Sequence, residues 1–255
     1  KMFAAAKCIH CKACVWVCPE KACSLVGQEI VTDPSLCTLC GKCAEVCPTK
    51  ATEMSGQLRS TAELMVEIEK EIPFFDQSGG GVTFSGGEPL LSPDFLAEIL
   101  DTCGQRHIHR AVDTSGYVDK EDLLRVAERT DLFLYDLKLM DSTRHLQQTG
   151  VDNGKILANL TALSEAGAAI QIRLPLIKGV NDDDENIAVM AQFVAGLAGE
   201  KKPVSLLPYH AIAAGKHQKL GQFYDDSGMS EPTREDLARV IGIFAAHGLT
   251  ATVGG

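Results

Sequence analysis

Apolar and polar positions alternate with two different periods along residues 60–255, and this pattern predicts strands separated by helices. In residues 60–72, Leu64, Ile68 and Ile72 fall on one helical face and glutamates occupy the others. Further helices are predicted at 92–104, from Asp119 onward, and at 154–166, 184–198 and 233–247. Short β-prone runs predict strands at 82–85, 109–113, 132–136, 169–174 and 204–207, with a small one at 250–253. Strands that alternate with single helices specify a parallel sheet with right-handed crossovers.

The first five predicted strands each deliver polar or charged residues at the C-terminal end. In chain order these are Gly86, Gly87 and Glu88, then Asp113 and Thr114, then Asp136 and Lys138, then Arg173, and last His210. An isolated Asp or His in such a place is more often a solvated loop residue. Because the C-terminal ends of parallel strands share one rim, five successive polar ends predict an active site there.

Two of these strand ends suggest what the site binds. Gly86 and Gly87 let a ligand approach the backbone, and Glu88 places a carboxylate beside it, which suits a small ligand carrying an amine. A plain turn is the alternative, because Gly-Gly-Glu is common in turns. Arg173 lies in an apolar predicted strand, so it needs an anionic partner, and a ligand carboxylate would serve.

The composition argues against several classes of protein. In a chain of 255 residues, 45% hydrophobic positions supply enough side chains for a buried core. The net charge of −10 is spread along the chain without a long basic run, which argues against nucleic acid or an anionic membrane surface as a partner. No apolar run reaches about 18 residues and no signal peptide is recognisable, so we expect a cytoplasmic protein without a membrane segment. We also expect a monomer.

Cysteine spacing carries the strongest signal. Nine of the ten cysteines precede residue 48, in clusters too tight for a disulfide framework and well suited to metal sites. Two runs that each end in Cys-Pro are offset by 29 residues: Cys8, Cys11, Cys14 and Cys18, then Cys37, Cys40, Cys43 and Cys47. Three neighbours recur with them, since Val17, Lys21 and Ala22 match Val46, Lys50 and Ala51. The chain therefore begins with an internal repeat.

This spacing is the one used by bacterial two-cluster ferredoxins, in which the cysteine before the proline binds the other cluster. It assigns one 4Fe–4S cluster to Cys8, Cys11, Cys14 and Cys47, and a second to Cys37, Cys40, Cys43 and Cys18. Structural zinc is the alternative, but zinc usually takes two separated Cys-x2-Cys pairs. Cys23 and Cys103 are predicted to be spare thiols. Two adjacent clusters form an electron relay, which implies a group to reduce elsewhere in the chain.

Together with this cysteine module, four further motifs make the chain resemble the glycyl radical enzyme activating enzymes. They are the glycine-rich run at 79–89, Asp-Thr-Ser-Gly at 113–116, Asp-Leu-Lys at 136–138 and Leu-Pro-Tyr-His at 207–210. The resemblance covers nearly the whole chain and implies a radical S-adenosylmethionine (SAM) oxidoreductase of anaerobic metabolism. The implied fold is α/β, a partial (β/α) barrel of the radical SAM type at 57–255 with an inserted ferredoxin-like two-cluster module at 1–56.

The resemblance also implies roles for the rim residues. Gly86, Gly87 and Glu88 would bind the methionine amino end of SAM. Thr114 is expected to belong to the cofactor site, where Arg173 would lie near the SAM carboxylate.

The predicted catalytic residues are Asp136, Lys138 and His210. Asp136, Leu137 and Lys138 would line the SAM site, and His210 would face the adenosine. In some relatives the positions of Asp136 and Asp113 lie near a monovalent cation.

The implied activity is radical formation on another protein. In such enzymes an electron from a third 4Fe–4S cluster cleaves SAM, and the 5′-deoxyadenosyl radical removes a Cα hydrogen from one glycine of a partner. The expected protein substrate is therefore a glycyl radical enzyme, and the expected electron donor is a flavodoxin or ferredoxin.

One motif of the family does not occur in this sequence. The Cys-x3-Cys-x2-Cys run that binds the third cluster is not among the ten cysteines. In relatives it lies just upstream of the two-cluster module, and this chain begins with Lys1 instead of Met. We therefore expect the motif and the first strand to lie before Lys1, and we expect these 255 residues alone to bind two clusters, and SAM weakly, without cleaving SAM.

Two other functions stay open at this point. An electron carrier with a degenerate barrel would use the cysteine module alone, although five polar strand ends speak against a decayed site. A radical SAM enzyme acting on a small molecule would share the whole site and differ in its substrate.

Overall fold

The structure, a computed structural model, describes residues 1–27, 29–210 and 228–254. The described residues form two compact units, one of residues 1–58 and one of residues 59–210 with 228–254. Across those residues, no helix is both long and apolar enough to cross a membrane.

The first unit consists of short elements joined by cysteine-bearing loops. Strand β1 (Met2–Phe3) pairs antiparallel with β4 (Thr52–Glu53), and β2 (Cys23–Val26) pairs antiparallel with β3 (Glu29–Thr32). Two helices of one turn each, α1 (Ala13–Val17) and α2 (Lys42–Glu45), carry the third cysteine of the two runs. The same short helices and strands are thus repeated around each of the two cysteine runs.

The backbone of this unit repeats with its sequence. Left-handed φ angles occur in pairs 29 residues apart: His10 (56°) with Leu39 (55°), Lys12 (61°) with Gly41 (80°), and Lys21 (52°) with Lys50 (52°). A non-glycine residue in this region costs about 1–2 kcal/mol, so the loop shape is imposed on these residues by what surrounds them. The internal repeat predicted from the cysteines is therefore also a repeat of conformation.

The second unit is built on a parallel sheet. Its strands are β5 (Gly81–Phe84), β6 (His109–Thr114), β7 (Leu132–Asp136), β8 (Ile170–Leu176), β9 (Val204–Pro208) and β10 (Ala251–Val253). The six strands lie in the order β10-β9-β8-β7-β6-β5, and every neighbouring pair is parallel. The predicted parallel sheet is confirmed, and each predicted strand is present within two residues of its expected ends.

Helices connect these strands. They are α3 (Thr61–Lys70), α4 (Ile72–Ser78), α5 (Pro93–Gln105), α6 (Lys120–Ala127), α7 (Ser142–Thr149), α8 (Gly154–Glu165), α9 (Asp184–Ala195) and α10 (Arg234–Ala246). Two differ from the sequence prediction. The single helix expected at 60–72 ends at Lys70, because Pro73 opens a separate helix α4. Helix α7 was not predicted, since its residues are almost all polar.

The central strands bury one face completely. Val112 in β6, Phe133 and Tyr135 in β7, and Ile172 in β8 are 0% exposed, and Leu206 in β9 is equally buried. The register places these five side chains on one face of the sheet, which is packed against helices, whereas the other face is half-buried and carries Asp113, Asp136 and Arg173. This burial fixes the strand register, and the register sets where the polar residues at the strand ends lie.

Candidate functional site

The eight cysteines of the repeat line two cavities of the first unit. Cys8, Cys11 and Cys14 share one cavity with Cys47 of the other run. Cys37, Cys40 and Cys43 share the second with Cys18. The structure thus brings together the two sets named from the ferredoxin spacing, and their binding of clusters stays a prediction. Among the described residues, no three His, Cys, Asp or Glu side chains converge on a single metal-ion position.

Backbone amides point at the two cysteines that cross between the runs. The Ala22 N–H lies 3.2 Å from Cys18 Sγ, and the Thr52 N–H lies 3.4 Å from Cys47 Sγ. Partial burial opposes ionisation of Cys18 and Cys47, but such amide bonds outweigh it and lower the pKa of both thiols. Burial dominates at Cys14 and Cys43 and raises the pKa of each. Donors aimed at sulfur stabilise thiolates, which is the ligand state that iron requires.

In the second unit, a cavity of about 320 Å³ opens at the C-terminal ends of β6 and β7. Three predicted site residues line it, Glu88, Asp136 and Lys138. Seven further lining residues were not predicted: Leu91, Ser115, Tyr117, His145, Thr149, Val151 and Ile156. The site is therefore larger than the set of charged strand ends that the sequence indicated.

Glu88 is held by hydrogen bonds from its own protein. One carboxylate oxygen accepts from Thr114 Oγ1 at 2.7 Å and from the Leu90 N–H at 3.3 Å. The other accepts from the N–H and the hydroxyl of Ser115, at 3.0 and 2.7 Å. Each oxygen thus accepts two bonds, which uses its lone pairs. Glu88 fixes the loop after β6 while leaving a negative charge at the cavity.

Arg173 finds its anionic partner inside the protein. Its Nη1 donates to Asp113 Oδ2 at 2.6 Å, so a protein carboxylate takes the place that a ligand carboxylate was expected to fill. Next to this pair, Lys138 Nζ donates to Asp136 Oδ2 at 3.0 Å. Burial raises the pKa of Asp113, the Arg173 charge opposes the rise, and the charges of Asp136 and Glu88 add to it. These five charged groups form one electrostatic cluster at the rim.

Other predicted residues lie apart from the cavity lining. The side chain of Leu137 is in the core at 2% exposure. His210 is exposed at the end of β9, where its Nδ1 lies 3.1 Å from Glu231 Oε1. At Gly86 and Gly87 an added Cβ would meet no atom within 4 Å, so the space beside the backbone is open. The described structure does not bring His210 to the cavity that Lys138 lines.

Buried asparagines brace the segment that carries Lys138. Asn153 donates to the carbonyls of Leu139 and Met140 at 3.0 and 2.8 Å. Asn181 donates to the carbonyl of Lys138 at 3.0 Å, and the Asn186 side chain accepts from the Met140 N–H at 2.8 Å. The sequence held a signal for this bracing, because all four asparagines of the chain fall within residues 153–186.

Comparison with known protein families matches both units. A profile of the Radical SAM superfamily matches residues 45–191, and a profile of the 4Fe-4S dicluster domain matches residues 7–51. The chain therefore has the radical SAM fold together with a ferredoxin-like dicluster domain, and the fold class predicted from the sequence is confirmed. The dicluster match also decides the cysteine module in favour of iron–sulfur clusters over structural zinc.

Individual relatives identify the family within the Radical SAM superfamily. The trans-4-hydroxy-L-proline dehydratase activating enzyme of Clostridioides difficile is 42% identical over 252 residues, which are 98% of this chain and 83% of the relative. The chain belongs to the glycyl radical enzyme activating enzymes. The choline trimethylamine-lyase activating enzyme of Oleidesulfovibrio alaskensis is 39% identical to it over 91% of this chain and 77% of the relative. The recognition made from the motifs is confirmed.

A solved structure supports the same assignment. It is described as a domain of pyruvate-formate lyase-activating enzyme from Bacteroides vulgatus and is 43% identical, with a TM-score of 0.60. The match covers 69% of this activating enzyme and 99% of that chain. The fold and the family are thus shown, while the roles of individual rim residues stay predictions.

Proposed function

We propose that this protein cleaves SAM reductively and forms a glycyl radical on a partner glycyl radical enzyme. The observation that carries the proposal is the 42% identity with a dehydratase activating enzyme over 98% of this chain. We assign residues 1–56 to the module that binds clusters and residues 57–255 to the barrel that binds SAM.

The proposed SAM site is the cavity beside Glu88. The open space next to Gly86 and Gly87 gives the amino end of SAM access to bare backbone. Glu88 attracts that ammonium group by its charge, since its lone pairs already accept bonds from Leu90, Thr114 and Ser115. Charge attraction is strong here because the carboxylate is partly shielded from solvent.

The remaining contacts come from the other strand ends. Lys138 supplies a positive charge for the SAM carboxylate, and Asp136 holds the ammonium group of Lys138 in place. Arg173 is assigned to the same end of SAM by the family resemblance, and in this structure its Nη1 donates to Asp113. Leu137 contributes backbone, since its side chain is in the core, and His210 is assigned to the adenosine end.

The cofactors of this proposal are SAM and iron–sulfur clusters. When bound, SAM reduced by a third 4Fe–4S cluster supplies the radical that removes a glycine Cα hydrogen. The two cysteine sets would hold two further clusters, which would supply electron transfer from a flavodoxin or ferredoxin. A monovalent cation near Asp113 and Asp136 stays a prediction, and so does the monomeric state.

The decisive test uses the full-length gene product, because the Cys-x3-Cys-x2-Cys run is not within these 255 residues. After anaerobic reconstitution and reduction, the protein is given SAM and a candidate glycyl radical enzyme. We expect 5′-deoxyadenosine by mass spectrometry and a glycyl radical signal by electron paramagnetic resonance (EPR). No SAM affinity at all would favour the electron carrier, and 5′-deoxyadenosine without a protein radical would favour a small-molecule substrate.

A variant pair tests the site itself. Lys138→Met removes the cation beside Asp136, and we expect SAM affinity to fall about tenfold or more, because a hydrogen bond to a charged group is lost. Lys120→Met makes the same change at an exposed residue at the start of α6 and should leave SAM affinity unchanged. Equal SAM affinity in the two variants would contradict the proposed position of the SAM carboxylate.

A further inference from the structure

The two cysteine cavities are related by the 29-residue repeat but differ in the side chains that surround them. Positions 23 and 52 correspond, and both backbone amides point at the sulfur of the cysteine five residues earlier. Positions 1 and 30 also correspond. Lys1 and Cys23 line the cavity of Cys18, Cys37, Cys40 and Cys43, which we call the second cavity. Ile30 and Thr52 line the cavity of Cys8, Cys11, Cys14 and Cys47, which we call the first cavity.

Cys23 is built into the second cavity. It is 4% exposed, and its side chain is within hydrogen-bonding reach of Cys18 and Cys43. Both of those cysteines belong to the set that lines this cavity. A thiol at this place therefore touches the cysteines of the second set directly.

Lys1 is fixed against Cys23. Its Nζ donates to Cys23 Sγ at 3.2 Å and to Thr32 Oγ1 at 2.5 Å, and the residue is partly buried. Lysine carries a full positive charge at neutral pH. The corresponding residue of the first cavity, Ile30, is 6% exposed and carries no charge. One cavity thus has a tethered ammonium where the other has an aliphatic side chain.

Other charged side chains around the two cavities exert a weaker electric field on them because these side chains are exposed to water. Glu20 and Lys42 at the second cavity, and Lys12 at the first, are all exposed. Solvent and salt screen exposed charges, whereas a partly buried and hydrogen-bonded charge is screened much less. The field difference between the cavities is therefore set mainly by Lys1.

We propose that Lys1, held by Cys23 and Thr32, raises the reduction potential of the cluster at Cys18, Cys37, Cys40 and Cys43 above that of the cluster at the first cavity. Reduction adds one electron to a cluster, and a nearby positive charge favours the more negative state. Of the two clusters, the one at the second cavity then accepts an electron first and retains it. The inference rests on the proposed binding of two clusters by the first unit.

The test is an EPR-monitored redox titration of the full-length, reconstituted protein, with iron and sulfide content measured in every sample. Lys1→Gln should lower the reduction potential of one cluster by ~59 mV, which corresponds to a tenfold change in the equilibrium constant of a one-electron reduction. Lys1→Arg keeps the charge and should restore the potential. Lys12→Gln makes the same substitution at an exposed residue of the first cavity and should shift neither potential.

A ligand variant assigns the signals. Cys40→Ala removes one ligand from the second set alone, so the signal it alters is that of the second cluster. Unchanged potentials in Lys1→Gln at full cluster content, or an equal shift in Lys12→Gln, would overturn the proposal. A shift confined to the signal that Cys40→Ala leaves intact would overturn it as well.

Cys23 supplies an independent check. Cys23→Thr gives the second cavity the residue of the first and should lower the same potential as Lys1→Gln, because Lys1 loses its sulfur contact. Loss of a whole cluster in Cys23→Thr would identify Cys23 as a ligand and overturn the proposal. Wild-type protein with fewer than two clusters beyond the SAM-binding one would instead refute the proposed two-cluster function, and the iron analysis separates that outcome.

Discussion

At the scale of the residue, Glu88 is a carboxylate whose hydrogen bonds are made within the protein. Glu88→Gln replaces one oxygen by an amide NH2 group, which then faces the N–H of either Leu90 or Ser115. We expect the free energy of unfolding to fall by about 1–3 kcal/mol even without SAM, because buried donors lose their acceptor. Urea unfolding of SAM-free protein measures this change.

The matched control is Glu98→Gln, on the exposed face of α5. It should change the free energy of unfolding by less than about 0.5 kcal/mol. If both variants unfold at the same urea concentration while Glu88→Gln loses SAM affinity, Glu88 acts on the ligand alone and its role in positioning the loop is wrong.

Position 116 requires glycine for two reasons, its left-handed backbone conformation and the Tyr135 side chain beside it. Its φ is +73°, and an added Cβ would overlap the hydroxyl of Tyr135, which donates to the Ile156 carbonyl at 2.7 Å. Gly116→Ala should therefore cost about 3 kcal/mol of stability, from backbone strain and overpacking together. Chemical denaturation measures the cost.

Gly150 separates the two causes. Its φ is +84°, but a Cβ there would meet nothing within 4 Å. Gly150→Ala should cost only the backbone term of about 1–2 kcal/mol. In the double variant Gly116→Ala with Tyr135→Phe, part of the loss should return, and equal costs for Gly116→Ala and Gly150→Ala would show that the Tyr135 contact is unimportant.

At the scale of the element, the strands and their polar ends could be predicted from the sequence. Strands such as β7 and β8 are short apolar runs bounded by turn residues, and this local signal survives folding because every second side chain of each strand is buried. The cysteine repeat is also local, since close thiolates within one loop have few structural uses other than metal binding.

What could not be predicted depends on contacts between distant residues. Arg173 meets Asp113 across 60 positions, and Ser115 meets Glu88 across 27. Helix α7 has no apolar stripe, yet it places His145 and Thr149 at the cavity. A periodicity argument assigns residues to elements and faces, but it does not identify which side chain on one element binds which on another.

The loop after β7 shows how one element depends on others. Asn181 accepts from the Ile177 N–H at 2.8 Å and donates to the carbonyls of Lys138 and Pro175 at 3.0 and 2.7 Å. Asn181→Ala leaves these three backbone groups without that partner, so we expect a loss of about 2–4 kcal/mol in stability. SAM affinity should fall as well, because Lys138 is no longer held. Gln148→Ala removes an exposed amide in α7 and should change neither the urea midpoint nor SAM affinity.

At the scale of the whole molecule, the carboxylates decide how stability depends on pH. Hydrogen bonds lower the pKa of Asp33, Glu63, Glu67, Asp131, Asp183 and Asp236 below the ordinary values of 3.8 for Asp and 4.5 for Glu. The folded chain therefore binds fewer protons than the unfolded chain in acid. Stability from these groups is fully present above about pH 5 and is lost as pH falls through their folded pKa values. Asp113 has a raised pKa and acts in the opposite direction.

Asp131 is the carboxylate best suited to test this dependence. It accepts from Arg110 Nε and Nη2, both at 2.8 Å, and from the Arg110 N–H at 2.8 Å. Asp131→Asn should cost about 1–2 kcal/mol at pH 7, a value reduced from a fully buried pair because the carboxylate is partly exposed. Below about pH 4 the unfolded chain protonates this carboxylate before the folded chain does, because the pKa of Asp131 is lowered only in the folded protein, so the difference in urea midpoint between the two proteins should shrink steadily as pH falls. Circular dichroism of both proteins between pH 7 and pH 3 measures that difference. Because both proteins share the same cysteines, loss of clusters in acid affects them alike, and a difference that stayed constant with pH would show that Asp131 is not ionised in the folded protein.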